Sequence, residues 1–181
     1  MPTQILVTYA SRTGSTAEIA QAIGKTLAEG GAQVDVRPMQ EAQDLAPYSA
    51  VVAGSAIRKS KWLPEAVQFI ETHRAELAQK RFVEFTVCIT LAMSSHVLSE
   101  AEGSEQCRAV VAQWVEPVRA LVTPLSEGYF AGLLDFSKLP INLDTLQLRL
   151  AVALRIFPRE DRRDWNAIRA WAESIRPILL D

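Results

Sequence analysis

Apolar runs of strand length alternate along this chain with longer segments whose apolar positions recur at helical spacing. QILVTY (4–9) reads as a buried strand, because a continuous apolar run of this length suits a strand covered on both faces. Residues 14–29 then place Ile19, Ile23 and Leu27 on one helical face, and Gly30 and Gly31 stand where a helix end favours glycine. AQVDVRP (32–38) alternates like an edge or near-edge strand and is stopped by Pro38. SAVVAG (49–54) is a second continuous apolar run. Pro64 opens a helix expected to reach about Ala78, with Val67, Ile70 and Leu77 inward. RFVEFTVCIT (81–90) is the next strand, and 104–121 the next helix. EGYFAGLL (127–134) is a fifth strand, and RDWNAIRAWAESIRPIL (163–179) closes the chain as a helix.

This order predicts an α/β fold, a parallel sheet with helices on both faces. Right-handed crossovers leave few topologies, and five strands favour the doubly wound order 2-1-3-4-5. The 181 residues are expected to form one domain, with an insertion at about 137–160 between the last strand and the last helix. Ligands of such sheets bind beyond the carboxyl ends of the strands, at the switch between strands one and three. The loops there are residues 10–16 and 55–63, and both are rich in polar groups.

Composition adds exclusions. The chain is 49% apolar and 22% charged, ordinary for a globular protein. A net charge of −2 without a basic tract gives no reason to expect nucleic acid. The start, MPTQILVTY, has no basic lead or cleavage site, so a cytoplasmic setting is expected. Cys88 and Cys107 have neither metal spacing nor a disulfide framework, and no metal site is expected.

The stretch TYASRTGST (8–16) joins the first strand to the first helix. A helix N-terminus offers unpaired N–H groups and the positive end of the dipole, so it attracts anions. Ser11, Thr13, Ser15 and Thr16 add hydroxyl donors around Gly14, whose missing side chain lets backbone approach a phosphate. The pattern G-x-x-x-x-G-K-[ST] is absent, as is G-x-G-x-x-G. A single phosphate monoester therefore fits better than a triphosphate or a dinucleotide. The competing reading is that Ser11 or Thr13 only caps the helix.

A strand followed by A-S-R-T-G-S-T-A-E-I-A resembles the phosphate loop of the flavodoxin family, T/S-x-T-G-x-T, which holds the phosphate of FMN. Ser11, Thr13, Gly14 and Thr16 follow that pattern, with Arg12 and Ser15 between them. The resemblance implies a flavodoxin-like sheet and FMN as cofactor. The second loop, G-S-A-I-R-K-S-K-W-L-P (54–64), resembles that of a subgroup, the menaquinone-dependent protoporphyrinogen dehydrogenases, in which a G-A/S-S/A-I-R segment precedes the third helix. That likeness implies Ser55, Ala56, Ile57, Arg58 and Lys59 as neighbours of the flavin. Trp62 could stack on one flavin face or pack on the following helix.

The third flavin loop is expected at T-L-A-M-S-S-H (90–96), with Thr90, Leu91 and Ala92 as cofactor neighbours. Flavodoxins usually place a tyrosine here; this stretch has only His96, either an acid or base at a more open flavin or a solvated side chain. Electron-carrying flavodoxins are also strongly acidic, whereas this chain is near neutral. Arg58, Lys59 and Lys61 form a basic rim that could meet the propionates of a porphyrinogen, tune reduced FMN, or simply be solvated. In the insertion, Leu146, Leu150, Leu154 and Phe157 share a helical face, interrupted by Asp144, Arg149 and Arg155. It is too charged to span a bilayer. Through residues 139–157 it could lie on the inner membrane surface, form a dimer seam or cover the flavin.

The resemblance implies an FMN-dependent oxidoreductase that passes reducing equivalents from a bound small molecule, protoporphyrinogen in the subgroup, to a quinone. The alternative is a flavodoxin-type carrier exchanging electrons with protein redox partners.

Overall fold

The computed structural model describes residues 4–92, 100–133 and 163–180, with the single positions 150 and 161. Strand β1 (Gln4–Ala10) leads into helix α1 (Ser15–Glu29), and β2 (Gln33–Pro38) ends in a short 3₁₀ turn, Met39–Glu41. Strand β3 (Ala50–Arg58) folds back through β4 (Lys61–Trp62) into α2 (Pro64–Thr72) and the single turn α3 (Arg74–Leu77). Strand β5 (Arg81–Cys88) runs into a 3₁₀ turn, Ile89–Ala92. Helix α4 (Glu100–Arg119), strand β6 (Glu127–Ala131) and helix α5 (Trp165–Leu180) complete the described elements.

The sheet order is β2-β1-β3-β5-β6, all neighbours parallel, with β4 paired antiparallel to β3 off this path. Counting the parallel strands alone, this is the doubly wound order expected from the alternation of elements, and β2 lies at an edge as its polar alternation predicts.

Both faces of the central strands are covered, which is why they read as continuous apolar runs. Ile5, Val7, Val52, Val83 and Phe85 pack with Ile19, Ile23 and Leu27 of α1 and with Ile168, Ala172 and Ile175 of α5. Each such fully buried aliphatic side chain stabilises the fold by about 1.5–3 kcal/mol. Leu6, Val51, Ala53 and Phe82 face the other way, toward Ala66, Phe69 and Ile70 of α2 and Val111, Val115 and Val118 of α4. Gly54 is required by packing across the sheet: a Cβ there would lie 2.0 Å from the Phe85 ring, its register partner on β5.

Several boundaries differ from expectation: the fifth strand, expected to residue 134, ends at Ala131, and the helix expected over 104–121 runs from Glu100 to Arg119. The helix expected over 64–78 breaks at His73, whose φ of −100° and ψ of 13° leave the helical range. His73 stacks against Phe69 with ring centroids 4.8 Å apart, and the Arg74 Nε–H donates to the Leu121 carbonyl at 2.8 Å. His73 is therefore half-buried. Strand β5 stops at Cys88, where the backbone tightens into the 3₁₀ turn. Residues 55–62, expected as a loop, extend β3 and return as β4.

Candidate functional site

The carboxyl ends of β1 and β3 lie side by side, with Ala10 in register with Ser55. Loop 11–14 leaves β1 at this point. Gly14 is the residue before α1 and has φ +95°, a left-handed conformation that costs glycine little. The Ser11 hydroxyl oxygen accepts the Gly14 N–H at 3.1 Å and so shapes the loop. No side-chain hydrogen bond caps α1. Neither Ser11 nor Thr13 is thus the cap of this helix, and its first N–H groups keep their capacity for an anion. Thr13 is half-buried beside them, and Thr16 is buried in the first turn.

Two neighbours in the motif are committed elsewhere. The Ser15 hydroxyl oxygen accepts the Leu133 N–H at 3.0 Å, which ties the start of α1 to the end of β6. Arg12 is exposed and paired, its guanidinium 2.9 Å from the Glu65 carboxylate in the first turn of α2.

The second loop is a hairpin. Ile57 pairs with Trp62 and Arg58 with Lys61, leaving Lys59 and Ser60 as a two-residue turn with φ of +51° and +58°. Positive φ at both central residues is the turn that matches strand twist, but it usually recruits Asn-Gly. Lys-Ser carries no such signal, so the hairpin was not legible in the sequence. Ser55 is fully buried and braces it: its hydroxyl donates to the Ala56 carbonyl at 2.9 Å and accepts the Leu63 N–H at 3.1 Å. The Ser55 side chain is occupied in the hairpin base rather than turned to a ligand.

Trp62 requires a correction. Its ring is 2% exposed within the α2–α4 core, and its indole N–H donates to the Thr86 hydroxyl at 2.9 Å. A ring held from beneath by that bond does not stack on a ligand above the strand ends; Trp62 packs in the core. Ala56, Ile57 and Arg58 are half-buried along the hairpin, and Lys59 is exposed at its tip.

Thr90 and Leu91 are half-buried in the 3₁₀ turn that also contains Ala92, and α4 packs against both this turn and β4. The third expected loop is thereby brought beside the second. Burial pushes the Cys88 thiol above its ordinary range, with hydrogen bonding to Thr90 offsetting part of this, so it stays a protonated core group. His96 and the insertion at 137–160, apart from the exposed Leu150, lie outside the described residues. No helix among the described residues is long and apolar enough to cross a membrane.

Sequence reasoning missed one cluster entirely. Glu84, on β5, is 1% exposed, and neither carboxylate oxygen finds a hydrogen-bond partner. Burial, and then the neighbouring Glu127 carboxylate, push its pKa up to about 8, against the smaller lowering effect of Arg119. Glu127 is its register partner on β6 and pairs with Arg119 at 3.1 Å and with the Tyr129 hydroxyl. An apolar strand pattern gives no signal for a buried acid of this kind.

An uncapped helix start, a left-handed glycine and half-buried hydroxyls at the switch point fit a phosphate monoester. The flavodoxin domain family matches residues 6–149. Among solved structures, a flavodoxin from Pseudomonas aeruginosa (a single-site mutant) superposes with a TM-score of 0.57 at 9% identity, covering 97% of this chain and 98% of that one. The flavodoxin of Streptococcus pneumoniae TIGR4 gives 0.54 at 16% identity, covering 96% and 98%. At these identities the likeness establishes the fold. No curated protein matches the chain in sequence. The match over residues 6–149 makes this chain a member of the flavodoxin domain family, with FMN as its cofactor.

Proposed function

We propose that this FMN-binding redox protein is an oxidoreductase of the protoporphyrinogen dehydrogenase kind, taking reducing equivalents from a small anionic substrate and delivering them to a quinone. The observation that supports this most is the hairpin at the ligand-binding end of the sheet. Arg58, Lys59 and Lys61 gather there within four consecutive residues, on a chain whose net charge is −2. Cations at the mouth of a cleft attract carboxylates over about 8 Å at physiological salt, which suits a substrate bearing propionates.

When bound, FMN supplies two-electron oxidation and reduction at its ring system. The chain's part is binding and orientation. Ser11, Thr13 and Thr16, with the first N–H groups of α1, would hold the phosphate. Ala56 to Lys59 would border one side of the ring, and Thr90, Leu91 and Ala92 another. The second reading, an electron carrier, is favoured by the superposition of whole flavodoxins on 96–97% of this chain.

One assay separates the two. FMN-loaded protein is mixed with protoporphyrinogen IX and a menaquinone analogue, and porphyrin fluorescence is followed. Turnover that requires both reactants is expected. Absence of turnover, alongside rapid reduction by a ferredoxin reductase, would leave the carrier.

A further inference from the structure

We infer that Glu65 sets the charge of the phosphate loop: by holding Arg12 away, it makes the site bind its anion through neutral donors alone. The inference rests on the reading of loop 11–16 as the FMN phosphate site. Arg12 is the only cation in that loop, placed between the two hydroxyl residues Ser11 and Thr13. A guanidinium there would be expected on the phosphate, since planar paired donors match its oxygens. Instead it bonds the Glu65 carboxylate at 2.9 Å.

Glu65 is well placed to win Arg12. It sits immediately after Pro64, in the first turn of α2, where the helix dipole favours a carboxylate. Its side chain is 19% exposed, whereas that of Arg12 is 46% exposed. The carboxylate is thus the fixed partner and the guanidinium the movable one. An arginine stem is long enough to turn back from a loop toward an anion beside it, so removing the Glu65 charge releases a cation one residue from each hydroxyl. Glu65 is accordingly a specificity-determining residue that touches no ligand. It keeps binding weakly dependent on salt and withholds the extra attraction that more highly charged phosphate esters would gain.

The test is a binding cycle on the full chain, read by quenching of flavin fluorescence, with FMN and riboflavin as probes at low and high salt. Glu65→Gln should tighten FMN binding by about tenfold at low salt, the scale of one added charge-assisted hydrogen bond. The gain should shrink at high salt and be absent for riboflavin, which lacks the phosphate. Arg12→Gln alone should change FMN affinity little, and added to Glu65→Gln it should abolish the gain. Glu65→Asp, whose shorter side chain cannot keep the same contact, should move in the same direction by less and serves if Glu65→Gln does not fold. Weaker or unchanged FMN binding in the Glu65 variants overturns the inference, as does a loss with Arg12→Gln alone that spares riboflavin. A wild-type chain that binds riboflavin and FMN equally overturns the phosphate-loop reading itself, which the variants would not.

Discussion

Glu84 is the residue whose chemistry departs furthest from its surroundings. An ordinary glutamate in the unfolded chain ionises near pH 4.3, whereas the folded pKa is about 8. Between those values the native state holds a proton that the unfolded state has lost. Stability from this group is therefore complete below pH 4.3, falls as pH rises, and levels off above pH 8. The slope in that window approaches about 1.4 kcal/mol per pH unit. Urea unfolding at pH 5, 6.5 and 8 should show Glu84→Gln gaining on the wild type as pH rises, because the amide has the same shape and no charge to bury. A constant difference between the two would mean that Glu84 is solvated or ionised in the fold. The hydroxyls and glycine of loop 11–16 were legible because their residue types have few other reasons to cluster after a strand. Glu84 was not, because one acid in RFVEFTVC looks the same whether it faces water or a sheet partner.

The hairpin of β3 and β4 shows the same contrast between elements. Continuous apolar strands and the glycine-ended α1 could be read directly, since burial on two faces and helix termination leave residue-type signatures. A Lys-Ser turn with two positive φ angles leaves none; its geometry is imposed by what lies beneath. Trp62 supplies that anchor through its bond to Thr86, and Ser55 through its bonds to Ala56 and Leu63. Trp62→Phe keeps an aromatic ring but leaves the buried Thr86 hydroxyl without its donor, at an expected cost of about 1–3 kcal/mol. Denaturant unfolding measures the loss, and a parallel FMN titration should change little. A large loss of FMN affinity with unchanged stability would return Trp62 to the flavin face. The break at His73 was hidden for a similar reason, since the Arg74–Leu121 contact that accompanies it joins residues 47 positions apart.

At the scale of the molecule, two cores press on one sheet, and in the one shared with α1 and α5 the Phe85 ring lies directly over Gly54. Gly54→Ala should destabilise by about 1–3 kcal/mol through overpacking. Phe85→Leu in the same chain should recover part of that loss, since neighbouring substitutions couple. Simply additive losses would show that the cost of Gly54→Ala does not come from the Phe85 ring. The bond from Leu133 to Ser15 joins positions 118 apart, and Arg163 meets Glu18 at 2.6 Å across 145. Both land on the first turn of α1, so its final shape depends on chain that is synthesised long after it. A ribosome-bound fragment ending before residue 133 would lack both fastenings. Cofactor capture is then expected late in the life of the chain, which flavin-fluorescence quenching on stalled nascent chains of increasing length would check.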